Sequence, residues 1–114
     1  MQLDIQTRGF SLTESLRDYT EKRMKFALHR NDQHILRTCV WLADINGPRG
    51  GIDKRCQVEL TMAGHSNIVI EDTQADLYFA IDRASERCMR TLARHLERLH
   101  YYNHTSIAAL AQPS

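Results

Sequence analysis

Five arginines, Arg83, Arg87, Arg90, Arg94 and Arg98, recur at steps of four, three, four and four residues. On a helix turning ~100° per residue they share an arc of roughly 80°. A guanidinium is a planar fork of donors that meets a phosphate with paired, charge-assisted hydrogen bonds. Side chains three and four residues apart on a helix stand ~5–6 Å from one another, near the step between successive phosphates of a nucleic-acid strand. The chemistry of such a row is phosphate binding. Only Glu86 and Glu97 interrupt it, so the segment carries a local excess of +3. A solvated face trimmed with charge would show the same spacing, and the row alone does not separate the two readings.

Lys22, Arg23, Lys25 and Arg30 form a second basic run with no acid between positions 22 and 30. Its two readings are an RNA contact and a solvated helix end favoured by the helix dipole. Arg23 can lay its stem beside Met24. Arg49, Lys54 and Arg55 make a third, smaller cluster in and beside the glycine-rich stretch from Asn46 to Gly51, and offer additional contacts.

Catalytic constellations find no support. No Ser-His-Asp order, glycine-rich phosphate loop or HExxH motif is present. Asp76 and Asp82 are six apart and fall on different sides of a helix, which does not suit an acid–base pair. Asp76 fits the first turn, where a carboxylate suits the dipole, and Glu86 stands four residues before Arg90. Asp82 has no role legible from spacing. His100 and His104 are four apart and His95 is five before His100, and no third ligand shares that spacing, so no metal is expected. The expectation is no enzyme, no cofactor and no small-molecule substrate.

These side chains need elements to carry them. Met1 to Arg8 alternates as a half-buried strand, Leu3 and Ile5 on one face. Ser11-Leu12-Thr13-Glu14 matches a capping box, opening a helix to about His29 with Leu12, Leu16, Tyr19, Thr20, Met24 and Ala27 inward. Ile35 to Ile45 is rich in β-formers and reads as a second strand. Lys54 to Met62 alternates cleanly, Cys56, Val58, Leu60 and Met62 inward, and Ile68 to Glu71 is a short fourth strand. Thr73 is the expected N-cap of the long helix. That helix is anchored by Leu77, Ile81, Ala84, Cys88, Leu92, Leu96 and Leu99, centred about 130° round from the arginines. Tyr78 is expected in the core. Trp41 is expected on the open face of the sheet if Val40 and Leu42 face the helices.

The order is β-α-β-β-β-α: an α+β fold, a four-stranded sheet with two helices packed on one face. With 114 residues and 42% hydrophobic content, one domain over residues 1–102 is expected, followed by an uncharged, aperiodic and flexible tail, 103–114. The net charge of +1 gives no basic signature averaged over the chain. Three cysteines without CxxC spacing read as reduced core residues. No signal peptide or membrane span is visible, and a cytoplasmic location is expected.

The run Asp76-Leu77-Tyr78-Phe79-Ala80-Ile81-Asp82, with the opening MQLDIQTRGFSLTESLRDYTEKR and this element order, resembles the ribosome hibernation-promoting factors. These are also called ribosome-associated inhibitors or sigma-54 modulation proteins. The resemblance covers roughly residues 1 to 100. It implies a fold like the double-stranded-RNA-binding domain. It further implies binding to the rRNA of the small ribosomal subunit, where messenger and transfer RNA would sit, inhibiting translation in the stress response. Ending at residue 114, the chain would be a short form without a dimerising domain, and a second hibernation factor would be the partner needed to pair ribosomes. The competing expectation, motivated by the near-neutral charge and apolar tail, is a protein-interaction module of the same fold that has lost ribosome binding.

Overall fold

The structure, a computed structural model, describes residues 2–45 and 53–111, with side chains through Arg98. Strand β1 (Gln2–Arg8) leads through helix α1 (Glu14–Leu28) and a 3-10 turn (His29–His34) to β2 (Ile35–Asp44). Strands β3 (Lys54–Met62) and β4 (Ile68–Gln74) follow, then the long helix α2 (Leu77–Ala111). The sheet order is β1-β2-β3-β4. β1 and β2 are parallel, as a crossover through α1 requires, and the other pairs are antiparallel.

Strand alternation divides the sheet into two faces. Ile5, Val40, Val58 and Ile70 lie in one row of the register and point towards the helices. Leu16, Met24 and Leu28 of α1 close the core from one side, Ala80, Ile81, Ala84, Cys88 and Leu92 of α2 from the other. A register irregularity between Ile35 and Arg37 makes Leu36 the extra residue, 59% exposed. That bulge lets both Ile35 and Thr38 turn inward, which strict alternation forbids. Trp41 stands on the open face between Gln6 and Gln57, with Val40 and Leu42 fully buried. Cys56 and Cys88 are buried, and burial pushes the Cys88 thiol up to about 12, so it behaves as a small hydrophobe.

Four local expectations change. The N-cap of α1 is Thr13, whose hydroxyl accepts from the Leu16 amide at 3.2 Å. The N3 position is then the buried Leu16, and the capping box does not form. Thr73 does not cap α2, because it is held in β4 opposite Arg55. Asp76 takes that role: its carbonyl accepts from the Ala80 amide at 3.0 Å, and its carboxylate lies 3.4 Å from the Tyr78 amide. Tyr78 is not a core residue. It is 41% exposed and meets Tyr19 edge-on, ring centroids 4.8 Å apart. Finally, helical backbone continues to Ala111, beyond the Leu99 at which the apolar stripe ends.

The two helices are joined through Asp82. Its carboxylate accepts from the Tyr19 hydroxyl at 2.5 Å and lies 3.0 Å from Arg23 Nε, an ion pair close in distance but without hydrogen-bond alignment. Arg23 also donates to Ser85 Oγ at 3.3 Å, and Ser85 donates in turn to the Asp82 carbonyl. The hydrogen bond to Asp82, followed by burial, raises the Tyr19 hydroxyl above its ordinary value. The neutral phenol is therefore the form that the folded state favours. That contribution is complete below pH ~10 and is lost as pH rises through the raised folded value. Tyr19→Phe should cost about 1–2 kcal/mol at neutral pH. Urea denaturation at increasing pH should show the difference from the wild type shrinking once Tyr19 ionises.

Candidate nucleic-acid interface

The arginine row does not act as a unit. Arg87 turns towards β4, where its Nη1 donates to the Glu71 carbonyl at 2.6 Å and to Asp72 Oδ2 at 3.2 Å. Asp72 is only 8% exposed and also accepts from Gln74 Nε2 at 2.7 Å. A nearly buried carboxylate needs such partners, so Arg87 braces the helix against the sheet edge. Arg83, Arg90, Arg94 and Arg98 are exposed, with no ion pair among the described residues. The spacing of Glu86 and Arg90 is not used for a pair. Arg83, Arg87, Arg90 and Arg94, with Thr91 and Ala93, line a shallow hollow of about 620 Å³.

The α1 run divides in the same way. Lys22, Lys25 and Arg30 are exposed and unpaired among the described residues. Arg23 is drawn inward by Asp82 and Ser85. Its contacts make it a strut between the helices. Lys25 and Arg30 border a second hollow that reaches Met89 and Ala93 of α2. The cations of α1 and α2 thus flank one surface, as two amphipathic helices on the same face of a sheet should arrange them.

The third cluster does not join them. Lys54 is held between Asp44 at 3.2 Å and the buried Asp53 at 3.0 Å. Arg55 alternates with buried Cys56, so it lies on the open face, 3.3 Å from Glu71. Arg49 lies outside the described residues, as do the side chains of His100 and His104. His95 meets His65 edge-on, ring centroids 6.2 Å apart. Among the described residues no three metal-ligating side chains gather. No described helix is long and apolar enough to cross a membrane.

Sequence periodicity missed two features. The Asp82 junction joins residues 63 positions apart, beyond any local pattern. Phe26, 76% exposed, falls outside the inward stripe of α1, and that position is the available signal of an apolar ring inside a basic run.

The fold and this surface define a small α+β domain that presents cations unpaired among the described residues on two adjacent helices, backed by a sheet whose charges are largely paired. Residues 3–100 match the family described as sigma 54 modulation protein / S30EA ribosomal protein, and the chain belongs to that family. A ribosome hibernation promotion factor of Picosynechococcus sp. is 26% identical over 99 residues, 86% of this chain and 50% of that protein. The chain spans about half the length of that curated relative. The Protein Y N-terminal domain of Thermus thermophilus superposes with a TM-score of 0.64 at 28% identity, covering 83% of this chain and 99% of that one. A ribosomal subunit interface protein from Coxiella burnetii shares the fold with a TM-score of 0.69 at 19% identity, covering 85% and 99%.

The division among the arginines has a stability signature. Arg87→Ala should destabilise by about 1–2 kcal/mol, because Asp72 loses its charged partner. Arg90→Ala and Arg94→Ala should stay within about 0.5 kcal/mol of wild type. Urea unfolding of the three variants separates the brace from the free cations.

Proposed function

We propose that this chain binds the small ribosomal subunit and holds the ribosome idle, using its helical face to contact rRNA phosphates. The observation that carries the reading is the set of exposed cations that have no ion pair among the described residues, of which Arg83, Arg90, Arg94, Lys25 and Arg30 border two hollows that share Ala93. Arg83, Arg90, Arg94 and Arg98 stand on α2, with Lys22 and Lys25 on α1 and Arg30 in the turn that follows it, in a chain of net charge only +1. Family membership and the ribosome-associated names of its relatives supply the target.

Structured RNA hides its base edges in a deep, narrow groove, so a protein reads backbone shape and 2′-hydroxyls. That task favours cations held at fixed spacing on rigid elements. Arg90 and Arg94, one turn apart on a helix anchored by Cys88 and Leu92, satisfy it. The role is occupancy: a folded domain seated where messenger and transfer RNA would lie excludes them without any covalent step. The same reading admits a second hibernation factor as a further partner. The sites of action are cytoplasmic ribosomes.

A protein-interaction role is favoured by one observation. Trp41 sits on an open sheet face where Arg37 pairs with Asp4 and Arg55 with Glu71. The two readings differ in salt dependence. Each phosphate neutralised releases counterion, and the slope of log affinity against log salt falls by ~0.7–0.9 per contact. Co-sedimentation with purified small subunits should be saturable and weaken steeply with salt. The combined Arg83→Ala, Arg90→Ala, Arg94→Ala variant should bind more weakly, with a slope shallower by roughly 2–3. Salt-insensitive association, or an unchanged slope in the variant, would move the contact to another face.

A further inference from the structure

Between α1 and α2 lies a trough that phosphate binding leaves unused, about 840 Å³ in volume. Phe26 and Met89, from different helices, line it with 76% and 43% of their surface exposed. Isolated exposed hydrophobes are ordinary, but two large ones meeting in a concavity mark a surface shaped for an apolar group. The rim carries Lys25, His29 and Arg30, and none of the described residues lining the trough is a carboxylate. Ala93 borders both this trough and the arginine hollow, so the two depressions are contiguous.

An occupant must therefore be flat and apolar in the middle and anionic on both sides. An unpaired nucleobase between its own two phosphates has that form. We propose that the trough receives one unpaired base of a structured RNA, stacked on the Phe26 ring and packed by Met89. Its flanking phosphates lie on Lys25 and Arg30 on one side and on Arg90 and Arg94 on the other. The inference rests on the RNA-facing reading above and adds to it a preference for bulged over fully paired RNA. Stacking on an aromatic ring is tolerant of base identity, so the trough reads the absence of pairing rather than sequence.

The test uses three RNA hairpins: one with a single bulged adenosine, one fully paired, and one with an abasic nucleotide at the bulge. Wild-type protein should favour the bulged adenosine over both others by roughly five- to hundredfold, the range that base–aromatic stacking supplies. Phe26→Ala should erase that preference and Phe26→Trp should keep it. The salt slope should be unchanged in both, because no phosphate contact is lost. Circular dichroism checks the fold, which an exposed ring should not disturb.

Equal binding of all three hairpins by the wild type, or a preference surviving in Phe26→Ala, overturns the trough while leaving phosphate binding intact. Failure to bind any hairpin overturns both. Binding of an acidic, tryptophan-containing peptide at the trough with no preference for the bulge would show a protein occupant and likewise reject the proposal.

Discussion

The candidate surface depends on how α1 and α2 are set against each other, and that setting converges on one carboxylate. Asp82 faces α1, where Tyr19 and Arg23, one helical turn apart, both reach it. Its side chain is about one-third exposed, so water screens the ion pair and the hydrogen bond from Tyr19 carries more of the orientation than raw Coulomb energy does. The hydrophobic seam of Leu16, Met24, Ile81 and Ala84 holds the helices to the sheet but is tolerant of sliding. Directional bonds to one carboxylate are not, and they fix which residues of α1 face which residues of α2. The positions of Lys25 and Arg30 relative to Ala93 follow from that register.

Charge is sorted by partner rather than by abundance. Asp4, Asp44, Asp53, Glu71, Asp72 and Asp82 each hold a cation within 4 Å, and in doing so occupy Arg37, Lys54, Arg55, Arg87 and Arg23. The acids of α1, Glu14, Asp18 and Glu21, all precede its basic run, and Glu14 stands in the first turn, where the helix dipole favours it. Of the other described cations, Lys22 and Lys25 lie on the later part of α1, Arg30 in the turn after it and Arg83, Arg90, Arg94 and Arg98 along α2, while Arg8 ends β1 and Arg17 lies early in α1. A chain with nearly balanced charge can therefore carry a strong local field, which is what steers a polyanion. Two residues of the basic stripes, Arg23 and Arg87, have been diverted to structure, and a reading by charge alone cannot tell them from their neighbours.

How much was legible in the sequence follows from the range of the interactions. The strands and the inward faces were, because alternation at Cys56, Val58, Leu60 and Met62 and the helical period at Ile81, Ala84, Cys88 and Leu92 are local patterns imposed by burial. The arginine row was legible because its helical spacing is equally local, although exposure rather than burial sets it. Thr73 failed as an N-cap because β3 pairing carries β4 on to Gln74, a tertiary demand that overrides a capping propensity. Asp82 was silent because its partners lie a whole strand–helix unit and more away in sequence. Arg87 looked like its neighbours until Asp72, nearly buried at the sheet edge, gave it a different task. The trough was invisible for a simpler reason: Phe26 and Met89 belong to no single helix's pattern and meet only once the helices are packed.

The most direct measurement is a cryo-electron microscopy reconstruction of the chain bound to small ribosomal subunits. The account predicts that the face bearing Arg83, Arg90 and Arg94, with Lys25 and Arg30, lies against rRNA within hydrogen-bonding distance of phosphates, and that the open sheet face with Trp41 points away. Density showing Trp41 and the sheet against the subunit, with the helical arginines in solvent, would contradict it.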